Sequence, residues 1–291
     1  MTHVFPPFEP EKSDKRRRKL VFARGQVPVR ILVPTILTLL ALCAGLTAIR
    51  MAIELRYDVA IAALILAAAL DAIDGRVARL LKATSRFGAE LDSLADFVNF
   101  GVAPAIIIFT WALGDVKRFG WIVVMIFALC MALRLARFNV SLDNTDEPAW
   151  KSAYFKGVPA PAGAILVLLP LYAEGMGMPS GIMPTTVILA YTLAVSFLVV
   201  SNIPTYSGKL VGQRISREFV LPVFVLAALF VAVLLTYPYI TLTIGSLVYL
   251  AMIPVSAYTH REDQAKAAQT TKAQNGASKK TQEEVRIAPG Q

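Results

Sequence analysis

Histidine and cysteine are nearly missing from this chain, with two of each among 291 residues. His3 and His260 fall in polar end segments, so the apolar body holds no histidine, which excludes a Ser-His-Asp triad or a His-ligated zinc site there. Cys43 and Cys130 both sit in long apolar runs, where packing is the ordinary role and a structural disulfide is not expected. Charge is also scarce. Asp, Glu, Lys and Arg make up 17% of the chain, against roughly 25% in soluble domains. With 56% hydrophobic residues and a mean hydropathy of +0.59, the chain is too apolar for a soluble domain of its size.

What is present instead is a series of apolar runs of membrane-crossing length. Eight are read, at about residues 31–49, 57–75, 93–114, 119–139, 160–178, 183–203, 218–236 and 239–258. They predict an all-α integral membrane protein, a bundle of about eight transmembrane helices. Basic residues test this partition independently, because cytoplasmic connections carry the excess of Lys and Arg. They crowd before the first run, in KSDKRRRK, then at Arg76, Arg79, Lys82 and Arg86, at Arg134, Arg137, Lys151 and Lys156, at Lys209, Arg214 and Arg217, and again after the last run. The alternate connections hold two or none. This alternation predicts cytoplasmic termini and places residues 76–86 on the same side.

Three regions follow: a basic cytoplasmic N-terminal segment (1–29), a membrane domain (30–258) and a polar C-terminal tail (259–291) expected to be disordered. The net charge of +9 reads as attraction to anionic headgroups of membrane lipids, not to nucleic acid. No cleavable signal peptide is expected, since the first apolar run begins near residue 31 and continues to a full span.

The second run leads into DAIDGRVARLLKATSRFGAELDSLADF, residues 71–97, with five acidic residues where lipid would be expected. Asp71 and Asp74 are three apart and Asp92 and Asp96 four apart, so on helices each pair shares a face. If the second and third spans are antiparallel neighbours, four carboxylates converge at the cytoplasmic end of the bundle. One Asp at the centre of a span costs about 2.5–3.5 kcal/mol, so four without partners approach about 10 kcal/mol before any discount for lying near the interface. Positive charge must offset this. Arg76 and Arg79 are available as partners, but an oxygen-only ligand set suits hard cations such as Mg²⁺ or Mn²⁺, and two divalent ions balance four carboxylates. Gly75, Ala78 and Gly88 are small enough to admit a close neighbour. Beside Asp71 and Arg79 that room fits a phosphate-bearing ligand.

The pattern Asp71-x-x-Asp74-Gly75-x-x-Ala78-Arg79, eight residues, Gly88-x-x-x-Asp92-x-x-x-Asp96 resembles, at every fixed position, the signature of the CDP-alcohol phosphotransferase family of membrane enzymes. The resemblance implies that an alcohol hydroxyl attacks the phosphorus next to the lipid in a CDP-linked donor and that CMP leaves. It implies two divalent cations, Mg²⁺ or Mn²⁺, held by Asp71, Asp74, Asp92 and Asp96, with Asp96 as the base. It also implies contacts to the CDP-diacylglycerol diphosphate from Gly75, Arg79 and Ser85, and a homodimer. Glu90 matches no fixed position. The first span of the family commonly opens with Pro-Asn and a threonine three residues on; here VPTILT has Thr35 in the asparagine position and keeps Thr38. Both are assigned to the donor site, Thr35 with fewer donors and acceptors than asparagine.

The acceptor rests on other segments. RLARFN (134–139), YFKGVPAPAGA (154–164) and SNIPTYSGK (201–209) are similar to those of the serine-accepting bacterial branch of the family. That implies transfer of a phosphatidyl group from CDP-diacylglycerol to L-serine, giving phosphatidylserine and CMP, in the cell inner membrane with the active site cytoplasmic. Serine carries a carboxylate and an ammonium. Arg134, Arg137 and Lys209 are candidates for the carboxylate, and Asn202, Tyr206 and Ser207 for further polar contacts. Two other readings stay open. A sibling transferase using choline, inositol or glycerol phosphate would share every metal and CDP position. A cation transporter would explain buried acids, but not their confinement to one end beside Gly75, Arg79 and Gly88.

Overall fold

In lipid, no water satisfies backbone polar groups, so an apolar chain closes its hydrogen bonds within helices. Helices accordingly dominate the computed structural model, which describes residues 29–83, 85–142, 154–179, 182–206, 217–256 and 258–259. The expected N-terminal segment and C-terminal tail lie outside these residues except at their edges.

The first helix, α1 (Val29–Ile53), and the second, α2 (Tyr57–Leu80), form an antiparallel hairpin turned at Leu55, whose φ is 59°. Small residues let the two backbones approach: Ala41, Ala44, Ala48 and Ala52 on α1 and Ala60 and Ala67 on α2 are all buried. The third run is one irregular helix. It begins as α3 (Arg86–Asp96), widens into a π-helical turn over Phe97–Val102 and continues as α4 (Ala103–Ile108). A second π-helical turn (Phe109–Leu113) and a 3₁₀ turn (Gly114–Val116) end it. Pro104 explains the first widening, because it has no N–H to close an α-turn on the Phe100 carbonyl.

Next comes α5 (Arg118–Leu142), packed against α8 (Thr185–Val200). Between them the expected fifth span is broken into α6 (Ala160–Val167) and α7 (Leu169–Gly175). The break falls two residues before Pro170, which cannot donate to the turn above it. Two short strands, β1 (Tyr154–Lys156) and β2 (Pro204–Tyr206), pair antiparallel with Phe155 opposite Thr205. They join the start of α6 to the end of α8. The chain then forms α9 (Arg217–Thr236) and α10 (Pro238–Ser256). The core gathers Phe100, Ile107, Phe127, Met131, Leu166 and Tyr172 from α4, α5, α6, α7 and the first π-helical turn.

Every expected run contains helix. Among the described residues, four helices are long and apolar enough to cross a membrane by themselves: Leu32–Ile53, Arg86–Val116, Arg118–Ser141 and Pro238–Ser256. At 24 residues α2 has the length, but its last turns carry the charged cluster. The described parts of α8 and α9 are apolar but shorter.

The turn after β1 depends on one glycine. Gly157 has φ 81°, donates its N–H to Ile203 O at 2.9 Å and accepts from Thr205 Oγ1 at 2.7 Å. A Cβ there would stand 2.6 Å from Val199 O and 2.7 Å from Ser201 O. Gly157→Ala is therefore expected to lower stability by about 1–3 kcal/mol, read as a fall in melting temperature of the detergent-solubilised protein.

Candidate active site

The site is assembled from the ends of two helical hairpin arms. On α1, the Thr38 hydroxyl lies within hydrogen-bond reach of both Asp74 Oδ2 at 2.7 Å and its own Pro34 carbonyl at 3.1 Å. Thr38 and Asp74 are 6% and 4% exposed, so this bond locks the α1–α2 interface away from solvent. Asp71 stands one turn earlier on α2. The opposing arm starts at Ser85, whose Oγ accepts from Gly88 N–H at 3.0 Å and caps α3. From that start Asp92 and Asp96 come round to face α2. One carboxylate oxygen from each of Asp71, Asp74 and Asp92 lies within 4.8 Å of the others. Asp96 interacts directly with Asp71, and its Oδ1 is buried with no hydrogen-bond partner.

Ionised carboxylates 4.8 Å apart repel by about 3.5 kcal/mol per pair at an effective dielectric constant of roughly 20. Three such pairs cost about 10 kcal/mol, as much as the whole stability of many domains. No Lys or Arg forms an ion pair with any of the four aspartates among the described residues, and Arg76 and Arg79 are exposed. Protons or a bound cation relieve such repulsion. The donor set is all carboxylate oxygen, which fits hard divalent cations, and the unpartnered Asp96 Oδ1 leaves a further ligand atom in place. A Cβ built on Gly75 meets nothing within 4 Å, so open space adjoins Asp74.

On the acceptor side the structure brings together three segments far apart in sequence. Asn139 donates to Ser93 Oγ at 2.9 Å, tying the end of α5 to α3 between Asp92 and Asp96. Arg137 donates to Val200 O at 2.9 Å and to Asn202 Oδ1 at 3.0 Å, tying α5 to the end of α8. The β1–β2 pair adds the segment before α6. Arg134 is half-buried, lies over the Phe138 ring at 5.7 Å, and acts electrostatically on Asp96. Arg134 is thus within charge-interaction range of Asp96, while Arg137 and Asn202 are bonded to each other. Thr35 is one turn from Thr38 on the same face of α1. Of the remaining expected residues, Ser207, Lys209 and the Tyr206 side chain lie outside the described residues.

Some site residues had escaped the sequence reading. Ser93 and Asn139 form the tie just described. Asn99, 1% exposed in the π-helical turn after Asp96, has neither amide atom hydrogen-bonded and packs where Gly45 leaves room. Its signal was an amide three residues past an aspartate in an apolar run.

The sequence profile of the CDP-alcohol phosphatidyltransferase family matches residues 31–201, more than half of the chain. The chain belongs to that family. A second profile, CDP-alcohol phosphatidyltransferase 2, matches residues 218–254. Three relatives similar to this chain bear the name CDP-diacylglycerol–serine O-phosphatidyltransferase. The protein of Mycobacterium leprae is 40% identical over 240 residues, 82% of this chain and 78% of that protein. That of Helicobacter pylori is 32% identical over 219 residues, covering 75% and 88%. That of Bacillus subtilis is 32% identical over 172 residues, covering 59% and 88%.

The Thr38 bond gives a test of how the carboxylates are held. Thr38→Val removes the hydroxyl that orients Asp74 and is expected to raise the Mg²⁺ or Mn²⁺ concentration for half-maximal activity by roughly 10-fold or more. Thr38→Ser should restore it, as a metal titration of both variants will show.

Proposed function

We propose that this protein is a phospholipid-synthesising enzyme that transfers a phosphatidyl group from CDP-diacylglycerol to the hydroxyl of L-serine, giving phosphatidylserine and CMP. The observation that carries the proposal is the convergence of Asp71, Asp74 and Asp92, with Asp96 beside them, in a chain whose relatives bear the serine transferase name. Two divalent cations, Mg²⁺ or Mn²⁺, would be held by the four aspartates and would supply charge neutralisation on the diphosphate and the attacking oxygen. The chain's own groups do the rest. Asp96 takes the proton from the serine hydroxyl, for which a buried, unpartnered carboxylate oxygen is suited. Gly75 leaves room for the diphosphate, and Arg79 and Ser85 lie on the two arms that flank it. Thr35 and Thr38 line the α1 side, the second through its hold on Asp74. On the acceptor side, Arg134 supplies the cation for the serine carboxylate, and Arg137 with Asn202 fixes the wall formed by the end of α8.

The donor's lipid portion has a place as well. An apolar cavity of about 500 Å³ runs between α2, α6, α9 and α10, lined by Ile61, Leu64, Ala68, Ile165, Phe230 and Gly245 among others. Ala68 lies one turn from Asp71 on α2, so an acyl chain held there trails from a diphosphate held at the aspartates. In this reading the protein spans the inner membrane about eight times, with both termini and the aspartates cytoplasmic. The membrane domain covers 30–258 between a basic N-terminal segment (1–29) and a polar tail (259–291), and two copies associate.

Three outcomes are expected. Asp96→Asn should abolish serine-dependent CMP release while the protein still inserts and purifies. With labelled serine, choline, inositol and glycerol phosphate offered in turn, serine alone should be incorporated, and EDTA should stop it; incorporation of another acceptor instead would reassign the substrate. Gly245→Leu should spare short-chain CDP-diacylglycerol and slow the long-chain donor several-fold, since a Cβ there meets nothing within 4 Å and the side chain would enter the cavity.

A further inference from the structure

A second large cavity lies at the end of the bundle away from the aspartates. It has a volume of about 600 Å³ and forms where the α1–α2 turn meets the end of α7 and the start of α10, with Trp111 of the second π-helical turn in its wall. At about 1.5 Å of rise per residue, its Asp58 lies about 20 Å along α2 from Asp71. None of the four clustered aspartates lines it, and the transfer reaction leaves it without a role.

Side chains tie its walls together. The Tyr57 hydroxyl donates to Thr110 O at 2.8 Å, and the Tyr239 hydroxyl donates to Asp58 Oδ1. Gly175 makes room for the second tie, since a Cβ there would stand 2.5 Å from the Tyr239 ring. Within these walls lie one guanidinium and two carboxylates. Arg56 has no hydrogen bond or ion pair among the described residues, and the second oxygen of Asp58 is likewise without a protein hydrogen bond there. Glu174 adds a carboxylate from α7. The rings of Tyr57, Trp111 and Tyr239 complete the polar side, in keeping with the place of Trp and Tyr where a bilayer meets water. Leu55 and Met178 line the same cavity and are 66% and 49% exposed, so it borders surface that faces lipid in a membrane-spanning chain. An occupant of matching chemistry carries an anion, a cation and an apolar part.

We propose that this cavity binds the headgroup of a phospholipid bearing a primary ammonium, of the ethanolamine type, with Arg56 on the phosphate and Asp58 and Glu174 on the ammonium. A guanidinium presents paired donors that match phosphate oxygens. A primary ammonium has three N–H donors for the carboxylates and is drawn to aromatic faces besides. The other common headgroups fit less well. A trimethylated amine has no N–H to give, a glycerol headgroup has no cation, and a serine headgroup brings a third carboxylate beside two acids. The lipid chains then run along the membrane face past Leu55 and Met178. The site does not depend on which alcohol the aspartate end accepts.

The test is native mass spectrometry of the full-length protein in detergent, titrated separately with phosphatidylethanolamine, phosphatidylserine, phosphatidylcholine and phosphatidylglycerol of one chain length. Wild type should hold the ethanolamine lipid tightest. Arg56→Gln should raise its apparent Kd roughly tenfold, as expected for lost bonds to a charged group, with CMP release unchanged. Asp58→Asn combined with Glu174→Gln should erase the preference for the ethanolamine lipid over the serine lipid. Equal binding of the ethanolamine and glycerol lipids by wild type overturns the proposal and needs no variant to fold. An Arg56→Gln protein that binds the ethanolamine lipid within twofold of wild type also overturns it. Free phosphoethanolamine at the lipid's concentration should not displace the lipid; displacement would make the occupant a soluble molecule and overturn the lipid site.

Discussion

Mutual repulsion among carboxylates at one end of a helical bundle is the constraint on which the rest of this structure depends. Asp71, Asp74 and Asp92 place an oxygen each within 4.8 Å of the others, and among the described residues no Lys or Arg forms an ion pair with them. Such an arrangement persists only where the scaffold over-determines it. The scaffold here consists of the small-residue contact of α1 with α2, the hydroxyl bond from Thr38 to Asp74, the Ser85 cap that starts α3, and the Asn139–Ser93 tie behind it. Each of these fixes the direction of a helix that carries an acid. A cluster held apart from its counter-charge is prepared for a cation before the cation arrives.

Much of this was readable from the sequence because the information is local. Spacings of three and four put each aspartate pair on one helix face, and the Lys and Arg alternation marked one end of the bundle. The apolar runs were legible for the same reason, since each states its own burial. The break at Leu168 was also local, with Pro170 two residues on, yet a run of uniform hydropathy hid it. The widening after Asp96 has its cause at Pro104, several residues away from its effect. Contacts between distant segments left no such trace. The Arg137–Asn202 bond spans 65 residues. Arg134 and Arg137 show the same limit: three residues apart, one is free to face the site and the other is bound to Asn202.

The division between polar site and lipid chamber is equally a matter of placement. On α2, alanines at 68 and 69 give way to Asp71 within a turn, so a single helix passes from the wall of an apolar cavity to the carboxylate cluster. The donor of the proposed reaction, a lipid-linked nucleotide, has the same polarity along its length. On the facing helix, the π-helical turn after Asp96 carries Phe100, which is buried in the core.

The hydroxyl bond between α1 and α2 bears on how the protein is made. These two helices leave the ribosome before α3 and are joined by a tight turn, so they can enter the bilayer as a pair. Thr38 and Asp74 both precede α3 in the chain, so their bond can form before α3 has packed. The acids that lack such a partner, Asp92 and Asp96, follow on the next helix to emerge. The order of the chain thus spreads the charging of the site over time, and the second pair of acids arrives after the α1–α2 part of the scaffold that restrains the first.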